Sequence, residues 1–273
     1  QALWALQPRI TQLSEVLVRW ASGQPLDRSV FDIWTPNDWR LARAIAWSQG
    51  ILGLLHVRAL REPIGPDDWR AYLAAQHASN GARVARMLDL LRQILREMNA
   101  RGVTPLLLKG SDLVTRVYDD VALRPIGDID LLVRPEDMPR AGEAVLAAGF
   151  ASDGGIKRHD VFVLPPNTVA EFLSEHPDNP IKVELHPAVS GRISLLGYDL
   201  TATLWQSSTV ERWRGHAVRR AALPALALHL LVHATSDMHP RTLRSVRLHD
   251  GHLVFAKLSP QDWQWMLAEL RRL

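Results

Sequence analysis

The 273 residues contain no cysteine. Disulfides and thiolate metal sites are therefore excluded, and a cytoplasmic location is expected. Lysine is almost as scarce. It occurs only at 109, 157, 182 and 257 among 32 basic residues, a skew that codon bias explains. Long apolar runs are missing as well. None approaches the roughly 20 residues that span a bilayer, so no membrane partner is expected. Gln1 opens the chain without the basic, apolar pattern of a secretory leader. Net charge is small too, at +3 despite a pI near 9.6. That excess is too slight to argue for binding a phosphate backbone. There is no internal repeat and no low-complexity tract.

What is present fits a globular chain. Apolar residues make up 47%, enough for a substantial core in one large domain or two modest ones. Residues 1–98 read as helices. Leu3, Leu6, Ile10, Leu13, Val16, Leu17 and Trp20 fall at amphipathic spacing over Ala2–Ala21. Asn37-Asp38 precedes a second helix, Trp39–Ala59. A third follows Pro66 from Trp69, with Gly81 as its expected interruption. Residues 99–190 mix short apolar strands with helices, including strands over 159–164 and 169–173. Residues 191–273 are expected to be mainly helical, with helices over Ala222–Ala234 and Pro260–Leu273. The fold class is thus α+β, a small mixed β-sheet core flanked by helical regions. Of ten tryptophans, six crowd the N-terminal region: Trp4, Trp20, Trp34, Trp39, Trp47 and Trp69. Core packing is their expected use, and an aromatic acceptor surface is the alternative.

The segment Ile126–Val133 carries the strongest functional signal. Ile129, Leu131 and Val133 alternate with Asp128 and Asp130, so both carboxylates leave one face of a strand. Two carboxylates about 5 Å apart repel by roughly 3 kcal/mol at an effective dielectric near 20. A site for a hard divalent cation such as Mg²⁺ tolerates that repulsion. Ile181–His186 alternates in the same way, placing Lys182, Glu184 and His186 on one face. If the two strands pair, Glu184 joins Asp128 and Asp130 as a metal ligand. Upstream, a short apolar strand ends in Lys109-Gly110-Ser111 and a helix follows. A glycine turn feeding a helix N-terminus offers backbone N–H groups to phosphate. Lys109 adds a point charge and Ser111 a hydroxyl.

These residues carry a resemblance. Leu106-Leu-Leu-Lys-Gly-Ser111, Tyr118, Leu123-Arg124-Pro125, Gly127-Asp-Ile-Asp-Leu-Leu-Val133, Gly149-Phe150 and Val183-Glu-Leu-His186 resemble the DNA polymerase β-like nucleotidyltransferase superfamily. More narrowly, they look like its uncharacterised bacterial nucleotidyltransferase family, some members of which lie beside peptide natural-product genes. The resemblance covers residues from about 90 to 190. It implies a mixed-sheet transferase core, two Mg²⁺ ions (Mn²⁺ as a substitute) and an NTP donor, ATP among the candidates. On that pattern Asp128, Asp130 and Glu184 are the catalytic metal ligands. Lys109, Gly110, Ser111, Arg124 and His186 are the nucleotide-binding candidates. Pro187 stands where the family often has an aromatic residue, and the gap from Ser111 to Asp128 is long. Both departures bear on the acceptor side.

The remaining candidates weigh less. His229 and His233 share a helical face, but no glutamate or cysteine completes a zinc set. His239, His249 and His252 do not change that. Asp250 reads as a structural cap, Asp112 as a helix-dipole partner, and Asp119 and Asp120 as solvated. Arg124 is placed equally well on Asp128, on phosphate or in a structural ion pair. The expected reaction moves an NMP from an NTP to a hydroxyl or phosphate of a small-molecule or peptide acceptor and releases pyrophosphate. The alternatives are a toxin-like transferase acting on RNA such as tRNA, and a nucleotide- or partner-binding module without turnover.

Overall fold

The computed structural model describes residues 6–156, 159–166, 168–193, 196–238 and 243–273. Trp4, Lys157, Asn167 and His239 lie outside them.

The N-terminal region is helical. Helix α1 (Gln7–Ala21) buries Leu13, Val16, Leu17 and Trp20, the apolar stripe of its sequence. Helix α2 (Pro36–Gln49) starts earlier than expected because Thr35 and Asp38 form a reciprocal capping box. The single helix read over Trp39–Ala59 is broken at Gly50, which takes φ 68°, and α3 (Leu52–Arg61) continues from there. Trp20, Phe31, Trp34, Trp39, Trp69 and Tyr72 form a chain of ring contacts in this region. Those tryptophans are core residues, as expected.

Helix α4 (Asp67–Ala100) runs 34 residues without a break. Gly81 does not interrupt it. A β-carbon there would stand 3.3 Å from Ala122 Cβ, so the glycine serves a close approach to the 3₁₀ turn Val121–Leu123. Farther along, Arg83 donates to the carbonyls of Asn179 and Pro180 at 2.5 and 2.7 Å. This fixes the chain just before the strand that carries Glu184.

The core then follows as β1 (Leu106–Leu107), α5 (Lys109–Arg116), β2 (Asp128–Leu132), α6 (Met138–Ala147), β3 (Ala151–Ile156), β4 (His159–Val163) and β5 (Lys182–His186). Residues 169–173 form no strand, contrary to expectation. The Asn179 side chain takes the N–H groups of Ala170 and Glu171, and Phe172 is exposed, so the segment is a loop. Beyond 190 lie β6 (Ser190–Ile193), β7 (Leu196–Asp199), α7 (Thr201–Gln206), β8 (Ser208–Trp213), β9 (His216–Ala221), α8 (Leu223–Met238), α9 (Ser245–Phe255) and α10 (Pro260–Leu270). The expectation of helices from 191 onward overlooked the β8–β9 hairpin. Its turn, Arg214-Gly215, has positive φ at both residues, the geometry that two-residue hairpins favour.

Seven strands join one mixed sheet in the order β3-β4-β5-β2-β1-β9-β8. The β2–β5 and β1–β9 pairs are parallel and the rest antiparallel. One face packs on α4 and α6. There Ile129, Leu131, Val183 and Leu185 meet Leu91, Ile94, Leu95, Ala141 and Val145. On the other face Leu106, Leu108 and Leu132 pack with Leu226 and Leu228 of α8. Asp128 and Asp130 alternate with the first set and share parity with Leu132, so they point toward α8.

Candidate active site

Register brings the acids together. Strand β2 pairs in parallel with β5 so that Asp130 lies opposite Glu184, and Asp128 precedes Asp130 by two residues on the same face. One carboxylate oxygen from each of Asp128, Asp130 and Glu184 lies within 4.8 Å of the others. Lys109 opens α5 with a left-handed backbone, φ 45°, which is costly for a residue with a β-carbon. Its ammonium sits 2.7 Å from Asp130 Oδ1.

The titration of the pair follows from this geometry. The charge of Asp130 first, and burial second, push the Asp128 carboxyl up to about 7. Burial also works against the charge on Asp130, but Lys109 and His186 outweigh it and hold Asp130 well below the usual carboxylate range. The pair therefore keeps its proton on the Asp128 side. Burial draws the Lys109 ammonium down, while Asp130 more than compensates and raises it.

Histidines border the acids. His186 Nε2 stands 2.9 Å from Asp130 Oδ1 and 3.4 Å from Glu184 Oε2. Burial opposes its protonation, yet these two carboxylates raise its pKa overall. His159, on the neighbouring strand β4, places Nε2 at 3.5 Å from Glu184 Oε2, and its ring lies tilted at 4.7 Å from that of His186. The hydrogen bond of His186 lowers Glu184, the largest influence on it.

Ser111 is buried, and its hydroxyl accepts the Asp130 N–H at 3.1 Å, so it ties α5 to β2. Gly110 lies under the Arg124 side chain. A β-carbon there would stand 3.2 Å from Arg124 Nη1 and from Ile126 Cγ2. Arg124 makes the structural ion pair that was one of the three placements weighed for it, and it also lines the first cavity. Its guanidinium meets Asp250 at 2.8 and 3.3 Å, and the Tyr118 hydroxyl donates to the same carboxylate at 2.7 Å. Asp250 is thus no helix cap. It sits inside α9, 1% exposed, as the anchor between α9 and the loop before β2. Asp112 is likewise buried and paired with Arg116 and Arg220 at 2.5 and 2.6 Å. It lies in the first turn of α5, as expected, and its charge is also met by these guanidinium groups. Asp120 accepts from His77 at 2.9 Å and caps the turn before Arg124.

Two cavities meet at Lys109. The first, about 220 Å³, is lined by Lys109, Gly110, Asp128 and Asp130 together with Arg124, Arg244 and Arg247. The second, about 380 Å³, is lined by Lys109, His159, His186, Pro187 and Tyr198 with His229 and His233. Burial pushes His229 down to about 3 and His233 to about 4, so both are neutral. Neither belongs to a group able to hold a metal among the described residues.

Sequence reasoning did not single out His159, Arg244 or Arg247. Arg244 is the extended N-cap residue of α9 and Arg247 lies in its first turn, and both line the first cavity. That segment read as a loop, which hid the signal. Strand β4 was expected, but nothing in its sequence says that it pairs with β5. Only that pairing puts His159 beside Glu184.

A family model described as uncharacterised nucleotidyltransferase matches residues 35–273. No curated protein matches the chain. Among solved structures, one of ANT(2'')-Ia in complex with adenylyl-2''-tobramycin is 15% identical. It covers 68% of this chain and 98% of its own, with a TM-score of 0.48. The lincomycin-bound lincosamide antibiotic adenylyltransferase LnuA is 14% identical over 62% of this chain and 97% of its own, at 0.39. An antigenic nucleotidyltransferase-like protein from Paracoccidioides brasiliensis is 11% identical over 71% and 88%, at 0.40. With its family model spanning the sheet and all the residues of the acidic site, this chain belongs to the uncharacterised nucleotidyltransferase family.

Proposed function

We propose that the protein transfers a nucleoside monophosphate from an NTP to a small-molecule or peptide acceptor and releases pyrophosphate. The observation that supports this reading most is the convergence of Asp128, Asp130 and Glu184 beside an arginine-lined cavity. The donor set fits Mg²⁺. It is all oxygen, and the carboxylates crowd closely enough to drive one of them to about 7. Asp128 and Asp130 would hold two ions, with Mn²⁺ able to replace Mg²⁺, and Glu184 would complete the acceptor-side position. Bound there, the ions would neutralise charge on the transferring phosphoryl group and lower the pKa of the acceptor hydroxyl.

The protein groups do the rest. Lys109, the backbone at Gly110, and Arg244 and Arg247 take the β and γ phosphates in the first cavity. Arg124, locked to Asp250, shapes the wall under them. Ser111 keeps Asp130 in line by holding its N–H. The acceptor enters the second cavity, so its hydroxyl reaches the α-phosphorus from the Glu184 side. Glu184 accepts the hydroxyl proton, the new O–P bond forms, and the bond to pyrophosphate breaks. In this reading the acceptor carries little negative charge. The second cavity presents the neutral His229 and His233, with Lys109 as its shared cation.

Residues 99–190 with the β8–β9 hairpin would form the transferase core, and the helices of 1–98 and 223–270 would frame it. Labelled NTP tests the reaction. Label at the α phosphate should move to an acceptor from a small-molecule extract, and label at γ should leave as pyrophosphate. Transfer of γ label to the acceptor would make the protein a kinase instead. Label appearing only in RNA, and lost in Asp130→Asn, would reassign the acceptor to RNA.

A further inference from the structure

The three side chains His159, Glu184 and His186 have no assigned joint role. Their ligand atoms also lie within 4.8 Å of one another. They come from adjacent strands: β4 supplies His159, and β5 supplies Glu184 and His186 two residues apart on one face. Two ligands on a tetrahedral ion bound at about 2.0–2.1 Å stand roughly 3.3–3.4 Å apart. Glu184 Oε2 lies 3.5 Å from His159 Nε2 and 3.4 Å from His186 Nε2. His159 Nε2 is buried and makes no hydrogen bond. A buried ring nitrogen without a partner is costly in a protein interior. Nearby lies the histidine-lined cavity, which leaves room for water or another ligand in a fourth position.

We propose that His159, Glu184 and His186 form a separate site for a borderline transition ion of the Zn²⁺ class. Two imidazoles and one carboxylate suit such an ion, whereas Mg²⁺ prefers oxygen throughout. His186 binds through Nε2 with its ring proton on Nδ1. The hydrogen bond it otherwise makes to Asp130 Oδ1 is given up, so loading releases a proton whenever the ring starts protonated. Glu184 belongs to both ligand sets. An ion held by the histidines therefore withdraws that carboxylate from the Asp128–Asp130 group. The inference needs only these three side chains and stands whether or not the protein transfers nucleotides.

Co²⁺ is the probe, because its visible d–d band reports nitrogen and carboxylate ligands in a low-coordinate site. The full chain should develop the band to one equivalent. Zn²⁺ should abolish it, and excess Mg²⁺ should not. Asp128→Asn should keep the band and His159→Ala should lose it, each checked for fold by circular dichroism. If His159→Ala does not fold, His159→Gln takes its place. Crystals soaked in Zn²⁺ give a reading free of variants, an anomalous peak among the three ligand atoms. Absence of the band, its survival without the His159 imidazole, its loss in Asp128→Asn, or an anomalous peak beside Asp128 instead would overturn the proposal.

Discussion

Replacing Asp128 by asparagine should stabilise the metal-free protein and remove its response to Mg²⁺. Carboxylate oxygens of Asp128 and Asp130 approach within 4.8 Å. At an effective dielectric near 20, two charges at that distance repel by about 3.5 kcal/mol. The rise of Asp128 from 3.8 to about 7 corresponds to roughly 4 kcal/mol at 1.36 kcal/mol per pH unit. Burying an amide in place of the acid costs about 1 kcal/mol, which leaves a gain of about 2–3 kcal/mol at pH 8. For a chain of this size that is on the order of 5–10 °C in Tm. The sign with pH follows from linkage. The folded pKa lies above the unfolded one, so repulsion grows as pH rises from about 4 to about 7 and is complete above that. Below pH 4 both forms are neutral at this position. The advantage of the variant should therefore shrink to roughly 0.5 kcal/mol at pH 5. Mg²⁺ at about 100 times its Kd adds about 2.7 kcal/mol to a protein that binds it. Wild type should then match or overtake the variant, whose Tm should not move. Melting curves at pH 5 and pH 8, with and without Mg²⁺, decide the matter. A variant that melts below wild type at pH 8 without metal would show that the carboxylate stabilises the fold, and the repulsion argument would be wrong.

Lys109→Ala should weaken triphosphate binding at least tenfold and monophosphate binding little. Titration of labelled ATP and AMP checks this, and equal losses would move the lysine away from the β and γ phosphates. Gly110→Val should leave the protein folded with NTP affinity sharply reduced, since the added atoms meet Arg124 Nη1 and Ile126 Cγ2 at 3.2 Å or less. Unchanged affinity in a folded variant would remove the phosphate turn. Asp250→Asn strands a buried guanidinium, so urea unfolding should show a loss of about 3–5 kcal/mol. A loss under 1 kcal/mol would mean that Arg124 finds another partner. His159→Gln should leave stability within about 1 kcal/mol of wild type, because the ring nitrogen it removes has no hydrogen bond to lose.

How much of this was legible in the sequence depended on whether a feature was local. Asp128, Asp130 and the apolar residues between them could be read as one strand face, because side chains alternate with period two. The same rule placed Glu184 and His186 together. That β2 and β5 pair, and pair in parallel at Asp130–Glu184, is written in no local pattern. The motif resemblance supplied the order of elements instead. The helix α9 shows the opposite case. Arg244 at its N-cap and its buried Asp250 lie more than a hundred residues from the groups they meet. Asp250 looked like a cap because its segment read as a loop before a new element, where aspartate is a favoured N-cap. Its contact with Arg124 comes from packing α9 against the loop before β2.

The same distance between sequence and contact explains the charge balance of the site. The net charge of +3 suggested no strong anion footprint. Yet three arginines and Lys109 converge on the first cavity from α5, the start of α9 and the loop before β2, next to three carboxylates, of which Asp250 is paired with Arg124. An overall count averages over the surface, while a phosphate feels charges within about one Debye length, ~8–10 Å. The second cavity, sharing Lys109 but otherwise bordered by histidines, has no such cluster. A polyphosphate and an uncharged acceptor would thus find their places from opposite sides of one lysine. This asymmetry comes from the folded arrangement, and under the proposed function it supports a small acceptor more directly than the chain's total charge does.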